Sequence, residues 1–207
     1  MQNFEEIINK AWDNKEQISS KSDKSIIEAI NQTIELTDQG KIRVAEKRGS
    51  EWVVNQWIKK AMLLSFRINE METIKGPYAT WFDKVEGKTT DWDKEKFTKA
   101  GFRKVPNGVV RKGAYVAKNV VLMPSFVNLG AYVDEGTMID TWASVGSCAQ
   151  IGKNCHISGG AGIGGVFLGE NNEELYRFSK YLDDATNNEA EYSALIRGLE
   201  IGLELNI

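Results

Sequence analysis

Apolar positions at the start of the chain recur every three to four residues: Phe4, Ile7, Ile8, Ala11 and Trp12, then Ile26, Ile27, Ile30 and Ile34 after the polar break Ser20–Asp23. That spacing predicts two short amphipathic helices. The segment KIRVAEKRGSEWVV alternates around Arg48-Gly49-Ser50, which predicts a hairpin, and WIKKAMLLSFRI returns to helical spacing. From Gly76 to Pro106 the sequence is aromatic, charged and irregular, and the expectation is a short helix near Asp93–Lys99 with loops around it.

A different period begins at Val109. Counting in sixes gives Val109, Tyr115, Val121, Val127, Val133, Ile139, Val145, Ile151, Ile157 and Ile163, aliphatic and β-branched at every position but Tyr115. Four residues after each of the first nine stands a small or medium residue: Gly113, Asn119, Ser125, Ala131, Thr137, Ala143, Ala149, Cys155 and Ala161. Helices repeat near 3.6 and strands near 2, so neither alone calls for a period of six. A triangular parallel β-helix does, with each hexad forming one face, the aliphatic residue on the axis and the small residue at the corner. Three hexads make a coil, so Val121, Ile139 and Ile157 are expected to stack on one inner face within a β-helix over residues 107–166. The pattern then breaks, because the next axial position is Gly169 and the corner position after Ile163 falls on Phe167. The stretch from Leu168 to Ile207 is rich in acids. It reads as strands GGVFLG and ELYRFSKYL around Asn171-Asn172, then a helix from about Asn188 to Leu205. A capping box, Thr186-Asn187-Asn188-Glu189, opens that helix, and Tyr192, Leu195, Ile196, Leu199 and Leu203 form its apolar stripe.

Composition narrows the function classes. With 42% hydrophobic and 27% charged residues over 207 positions, the chain has room for a sizeable core. A net charge of -3 argues against nucleic acid as a partner. No run approaches the roughly 18 apolar residues of a membrane span, and the acidic N-terminal segment does not read as a signal peptide, so a cytoplasmic location without membrane contact is expected. Cys148, Cys155 and the single histidine, His156, do not make a disulfide framework or the usual closed zinc site.

The words RVAEK, LLSFRIN and GFRKVPNGVVRKGAYVAKNVVLMPSFVNLGAYVDEGTMIDTWASVGSCAQIGKNCHISGGAGIGGV closely resemble tetrahydrodipicolinate N-succinyltransferase, from near Met1 to Val166. The resemblance implies an N-terminal helical and mixed domain over residues 1–106, then a left-handed parallel β-helix over 107–166. It also implies a homotrimer with active sites between neighbouring β-helices. The implied reaction moves succinyl from succinyl-coenzyme A, a co-substrate, to an amine in lysine and diaminopimelate synthesis, with no metal or other cofactor. Residues 167–207 instead resemble the second and third strands and first helix of a type I ribonuclease H, carried by TNNEAEY. The expectation is therefore a fold of mixed α and β type ending in a strand-strand-helix tail, a fusion of a truncated succinyltransferase with a ribonuclease H fragment. The alternative is a non-enzymatic chimeric or designed scaffold.

A dicarboxylate substrate calls for fixed cationic donors, and arginine supplies two parallel ones. Arg103 in GFRKVP matches the family's substrate-binding arginine, and Asp140 in MIDTWAS its substrate-contacting carboxylate, proposed as an acid/base group. Asp134 and Glu135 read as solvated or corner-forming. The family's second carboxylate, in a GARSEV word, and the coils that bind coenzyme A have no counterpart here, and Glu189 and Glu191 do not inherit that role. Weak or absent turnover is the expectation. Glu191 matches a ribonuclease H metal ligand, but one carboxylate does not hold a metal pair. Gly160 to Gly165 satisfies GxGxxG with Asp183 at a suitable distance, yet the glycines lead into VFL and not a helix, so no dinucleotide site is expected. His156 is expected to be an exposed corner histidine, and Cys148 and Cys155 small packing residues.

Overall fold

The computed structural model describes residues 4–76, 79–159, 162–168, 174–181 and 200–204. They divide into two units, Met1–Ser158 and Gly159–Ile207.

In the first unit, the helical periodicity forms α1 (Phe4–Asp13), α2 (Lys24–Asp38) and α3 (Gln56–Ile68). Their apolar stripes close on one another around Ile8, Ala11, Ala29, Ile30, Ala61, Leu64 and Ile68. Between α2 and α3 lies the expected hairpin, β1 (Ala45–Arg48) and β2 (Glu51–Val54), turning at Arg48 to Glu51 with Gly49 at φ 64°. A second hairpin joins β3 (Glu72–Lys75), just before the stretch read as loops, to β4 (Thr80–Asp83) inside it. Its four-residue strands bear charged and aromatic side chains that are mostly exposed, so no alternation of apolar and polar positions announces it. Helix α4 (Lys94–Ala100) starts where expected: Asp93 accepts the Lys96 N–H at 2.8 Å, and Gly101 ends it at φ 75°. Trp92, Phe97 and Phe102 cluster beside α4, their ring centroids 5.2 to 5.9 Å apart, and pack on the core of the repeats that follow.

The hexads form a parallel β-solenoid of two-residue strands. Its three faces carry β5 (Arg103–Lys104), β8 (Val121–Leu122), β11 (Met138–Ile139) and β14 (His156–Ile157); β6 (Val109–Val110), β9 (Phe126–Val127) and β12 (Ser144–Val145); and β7 (Tyr115–Val116), β10 (Tyr132–Val133) and β13 (Gln150–Ile151). The axis is filled by Val110, Val116, Leu122, Val127, Val133, Ile139 and Val145, each no more than 4% exposed.

This corrects the expected register over its first third. Val109 is 44% exposed and Tyr115 and Val121 are half-buried, while the next residue of each pair lies inside. Leu122, not Val121, stacks under Ile139 and Ile157. The frame changes at Pro124. Left-handed backbone recurs every six residues at Gly101, Asn107, Gly113 and Asn119, and again at Gly130, Gly136, Trp142, Cys148 and Asn154, with a step of eleven from Asn119 to Gly130. Proline's ring locks φ near -65°, so the Pro124 corner cannot adopt that conformation. The turn there is one residue shorter, and the step from Leu122 to Val127 is five instead of six. Gly113 and Asn119 consequently hold the left-handed turn, and their successors Ala114 and Val120 are the fully buried corner residues.

The solenoid is tied to the helices within the same unit. Asp38, at the end of α2, accepts the Gly113 N–H at 2.8 Å and the Lys88 ammonium at 2.5 Å. Leu129 packs with Ile58 and Met62 of α3. Arg43 lies over the Tyr132 ring, 3.6 Å from its centroid, and Tyr132 stacks on Tyr115.

In the second unit, β15 (Gly162–Leu168) and β16 (Glu174–Tyr181) form an antiparallel pair, as the two apolar stretches predicted. Ile163 therefore does not continue the parallel stack: it pairs with Lys180, and the last hexad strand among the described residues is β14. A long antiparallel ladder gives this glycine-rich segment more backbone pairing than a two-residue rung. Residues 200–204 are helical. Leu203, assigned to an apolar stripe, is 80% exposed, whereas Ile201 is buried. The capping box at 186–189, Asp183 and Glu191 lie outside the described residues.

Candidate functional site

Sequence-chosen Arg103 and Asp140 both belong to the face built by β5, β8, β11 and β14. Parallel pairing sets Arg103, Val121, Met138 and His156 side by side. Alternate residues of a strand leave on opposite faces, so these four point outward while Lys104, Leu122, Ile139 and Ile157 point to the axis. Arg103 is exposed at the first rung, two strand spacings or about 10 Å from Met138 between Cα atoms. Asp140 follows β11 and starts the corner leading to β12, where its N–H donates to the Ile157 carbonyl at 2.8 Å.

Both oxygens of the Asp140 carboxylate are held. Oδ1 accepts the Thr141 N–H at 2.7 Å, and Oδ2 lies 3.0 Å from Nε2 of His156. The backbone donor, and then the imidazole, keep the Asp140 carboxyl below its ordinary range, so it is ionised at neutral pH. His156 is exposed, as expected, but it is not an isolated corner side chain. The 18-residue coil puts it one strand above Met138, within reach of Asp140.

Trp142 is the feature that residue patterns missed. It occupies the left-handed region at φ 61°, where a residue with a Cβ costs roughly 1–2 kcal/mol, and its side chain is 78% exposed. Its N–H donates to the Pro124 carbonyl at 2.7 Å, so the shortened corner below fixes the strained one above. The left-handed conformation is the one that recurs from turn to turn of the solenoid, and at Trp142 it leaves a large exposed indole two residues from the Asp140 carboxylate. The signal was present in sequence: six-residue counting places Trp142 where neighbouring hexads put Gly130 and Gly136.

The other candidates sit elsewhere. Asp134 caps its own turn through the Glu135 N–H, and Glu135 bridges Lys118 and Lys153 at the opposite corner of the same face, as the solvated, corner-forming reading held. Cys148 is a corner residue at φ 62° whose thiol is pushed up by burial, which disfavours the thiolate. Lys104 occupies the axial position under Leu122, donates to the Gly108 carbonyl at 3.0 Å and is pushed down by burial. A cavity of about 550 Å³ between α2, α3 and the β3 to β4 region, lined by Glu35, Glu70, Glu72 and Lys84 among others, contains neither Arg103 nor Asp140. Among the described residues no group of three or more His, Cys, Asp or Glu side chains could hold a metal ion, and no helix is long and apolar enough to cross a membrane.

Known proteins give an independent measure. Residues 3–68 match the family described as tetrahydrodipicolinate N-succinyltransferase N-terminal. The chain is similar to the 2,3,4,5-tetrahydropyridine-2,6-dicarboxylate N-succinyltransferase of Pelagibacter ubique (strain HTCC1062), 69% identical over 169 residues, covering 80% of this chain and 62% of that protein. The protein of that name from Paracoccus denitrificans (strain Pd 1222) is 60% identical over 165 residues, 79% of this chain and 60% of its own. The one from Parvibaculum lavamentivorans is 54% identical over 163 residues, with 77% and 58% covered. The chain thus spans about three fifths of the length of the curated relatives it matches.

Proposed function

We propose that this chain carries the amine-acceptor side of a 2,3,4,5-tetrahydropyridine-2,6-dicarboxylate N-succinyltransferase. The observation that carries the reading is that Arg103 stands on the first rung of a solenoid face and Asp140 at the end of β11, two rungs along the same face, in a chain 69% identical over 169 residues to a protein of that name. Arg103 offers its guanidinium to a substrate carboxylate with two parallel donors. Water adds to the cyclic imine and the ring opens to an amine and a ketone, and Asp140, ionised and fixed at both oxygens, accepts a proton from that amine as it attacks. The new bond joins amine nitrogen to the succinyl carbonyl carbon, the carbon–sulfur bond breaks, and coenzyme A leaves as the thiol. The acyl donor is succinyl-coenzyme A, and no metal or bound cofactor takes part. The working assembly is a homotrimer of left-handed solenoids in the cytoplasm. For residues 167–207 the ribonuclease H resemblance stands as a reading of TNNEAEY alone, without hybrid cleavage.

The test is calorimetric binding of tetrahydropyridine-2,6-dicarboxylate to the whole chain, beside thiol release from succinyl-coenzyme A. Saturable acceptor binding, weakened in Arg103→Ala, is expected. Equal affinity in wild type and Arg103→Ala would overturn the assignment.

A further inference from the structure

We propose that His156 is the positioning residue of Asp140, holding Oδ2 through Nε2 so that the carboxylate presents one fixed edge to the acceptor amine. This rests on the acceptor reading above and adds to it the group that aims the carboxylate.

Three observations carry it. A carboxylate tied at one oxygen still turns about its last side-chain bond. Here the Thr141 N–H holds one oxygen at 2.7 Å and the imidazole the other at 3.0 Å, so that freedom is lost. The second tie comes from a different coil, sixteen residues on, so it is set by the stacking of β14 on β11 and not by the local turn. Among the described residues of the same face, the side chain facing outward from β8 is Val121, the one facing outward from β5 is Arg103, and Lys118 and Lys153 are engaged with Glu135 at the far corner. Donors that orient a reacting group without touching substrate act by limiting misalignment, for which even small displacements are costly. Neutral imidazole donates from only one nitrogen, and the Asp140 contact selects the tautomer with the proton on Nε2.

The chain contains one histidine, so its imidazole resonances need no assignment. Nitrogen-15 NMR of the whole protein at high pH should show the Nε2–H tautomer in the wild type, and a loss of that preference in Asp140→Asn. The carbon-13 carboxyl titration of Asp140 should move to higher pH in His156→Ala and return in His156→Gln, whose amide places a donor near the Nε2 position. Transfer, or acceptor affinity where turnover is too slow to read, should fall roughly ten- to a hundredfold in His156→Ala. His156→Gln should recover most of it. A histidine without a hydrogen bond to Asp140 would move neither titration nor tautomer, and one that bonds it without positioning it would leave transfer and acceptor affinity unchanged in His156→Ala. An unchanged Asp140 midpoint in His156→Ala overturns the proposal whatever the turnover. So does wild-type function in His156→Ala when Asp140→Asn has lost it, and that pair of results leaves the acceptor reading standing. If Asp140→Asn changes neither transfer nor acceptor affinity, the acceptor reading fails and the positioning role fails with it.

Discussion

Truncating Leu122 and Val121 separately tests the solenoid register, because the two neighbours lie on opposite sides of the same rung. Leu122 is 1% exposed, stacked between Lys104 and Ile139, whereas Val121 is half-buried on the outer face. Leu122→Ala removes three carbons from the axis, worth about 2.4 kcal/mol at roughly 0.8 kcal/mol per buried methylene. The hole left between rigid rungs adds to this, giving about 3–4 kcal/mol in total. Each repeat is held by its neighbours, so the loss is felt by the whole stack. Val121→Ala removes two carbons from a surface already in partial contact with water and should cost less than about 1 kcal/mol. Urea unfolding followed by circular dichroism measures both, with equal slopes required for the comparison. If Val121→Ala costs as much as Leu122→Ala, Leu122 is not axial and the shortened corner at Pro124 is wrong.

Other consequences follow from single residues. Gly130 sits at φ 75°, and an added Cβ would meet Cys148 Sγ at 2.9 Å, so Gly130→Ala should lower stability by roughly 1–3 kcal/mol in the same assay. Asp38→Ala leaves the Lys88 ammonium, only 8% exposed, with the Asp38 backbone carbonyl but no carboxylate, and takes the acceptor from the Gly113 N–H, and should cost about 2–4 kcal/mol by thermal or urea melts. The Asp140 carboxyl is held below its ordinary value, so its contribution to stability is complete above about pH 4 and fades as pH falls through the lowered value. Urea midpoints between pH 2 and 7 should show that acid-side loss diminished in Asp140→Asn.

Much of this architecture was legible because it repeats. The helices α1, α2 and α3 announce themselves through a 3.6-residue stripe, and the solenoid through a six-residue one. The frame was ambiguous where two apolar residues stand together, as in Val109-Val110, Tyr115-Val116 and Val121-Leu122, since a fixed count of six cannot see one deleted corner residue. Tyr115 was the clue, being the one non-aliphatic residue in the expected axial row, and Pro124 was its cause. The β3 to β4 hairpin escaped notice because its side chains face water. Arg103 and Asp140 were chosen through resemblance to a family, and the fold brings both to one face. The His156 contact was not legible, because it depends on which residues of adjacent coils lie side by side, and that follows only once the strand pairing is known.

The acceptor site itself is tested most directly by calorimetric titration of the whole chain with tetrahydropyridine-2,6-dicarboxylate, wild type beside Arg103→Ala. The account predicts saturable binding in the wild type and a loss of roughly tenfold or more in the variant, since a hydrogen bond from a charged donor is worth about 1.5–3 kcal/mol. Binding of equal strength in both proteins, or none in a folded wild type, would contradict it.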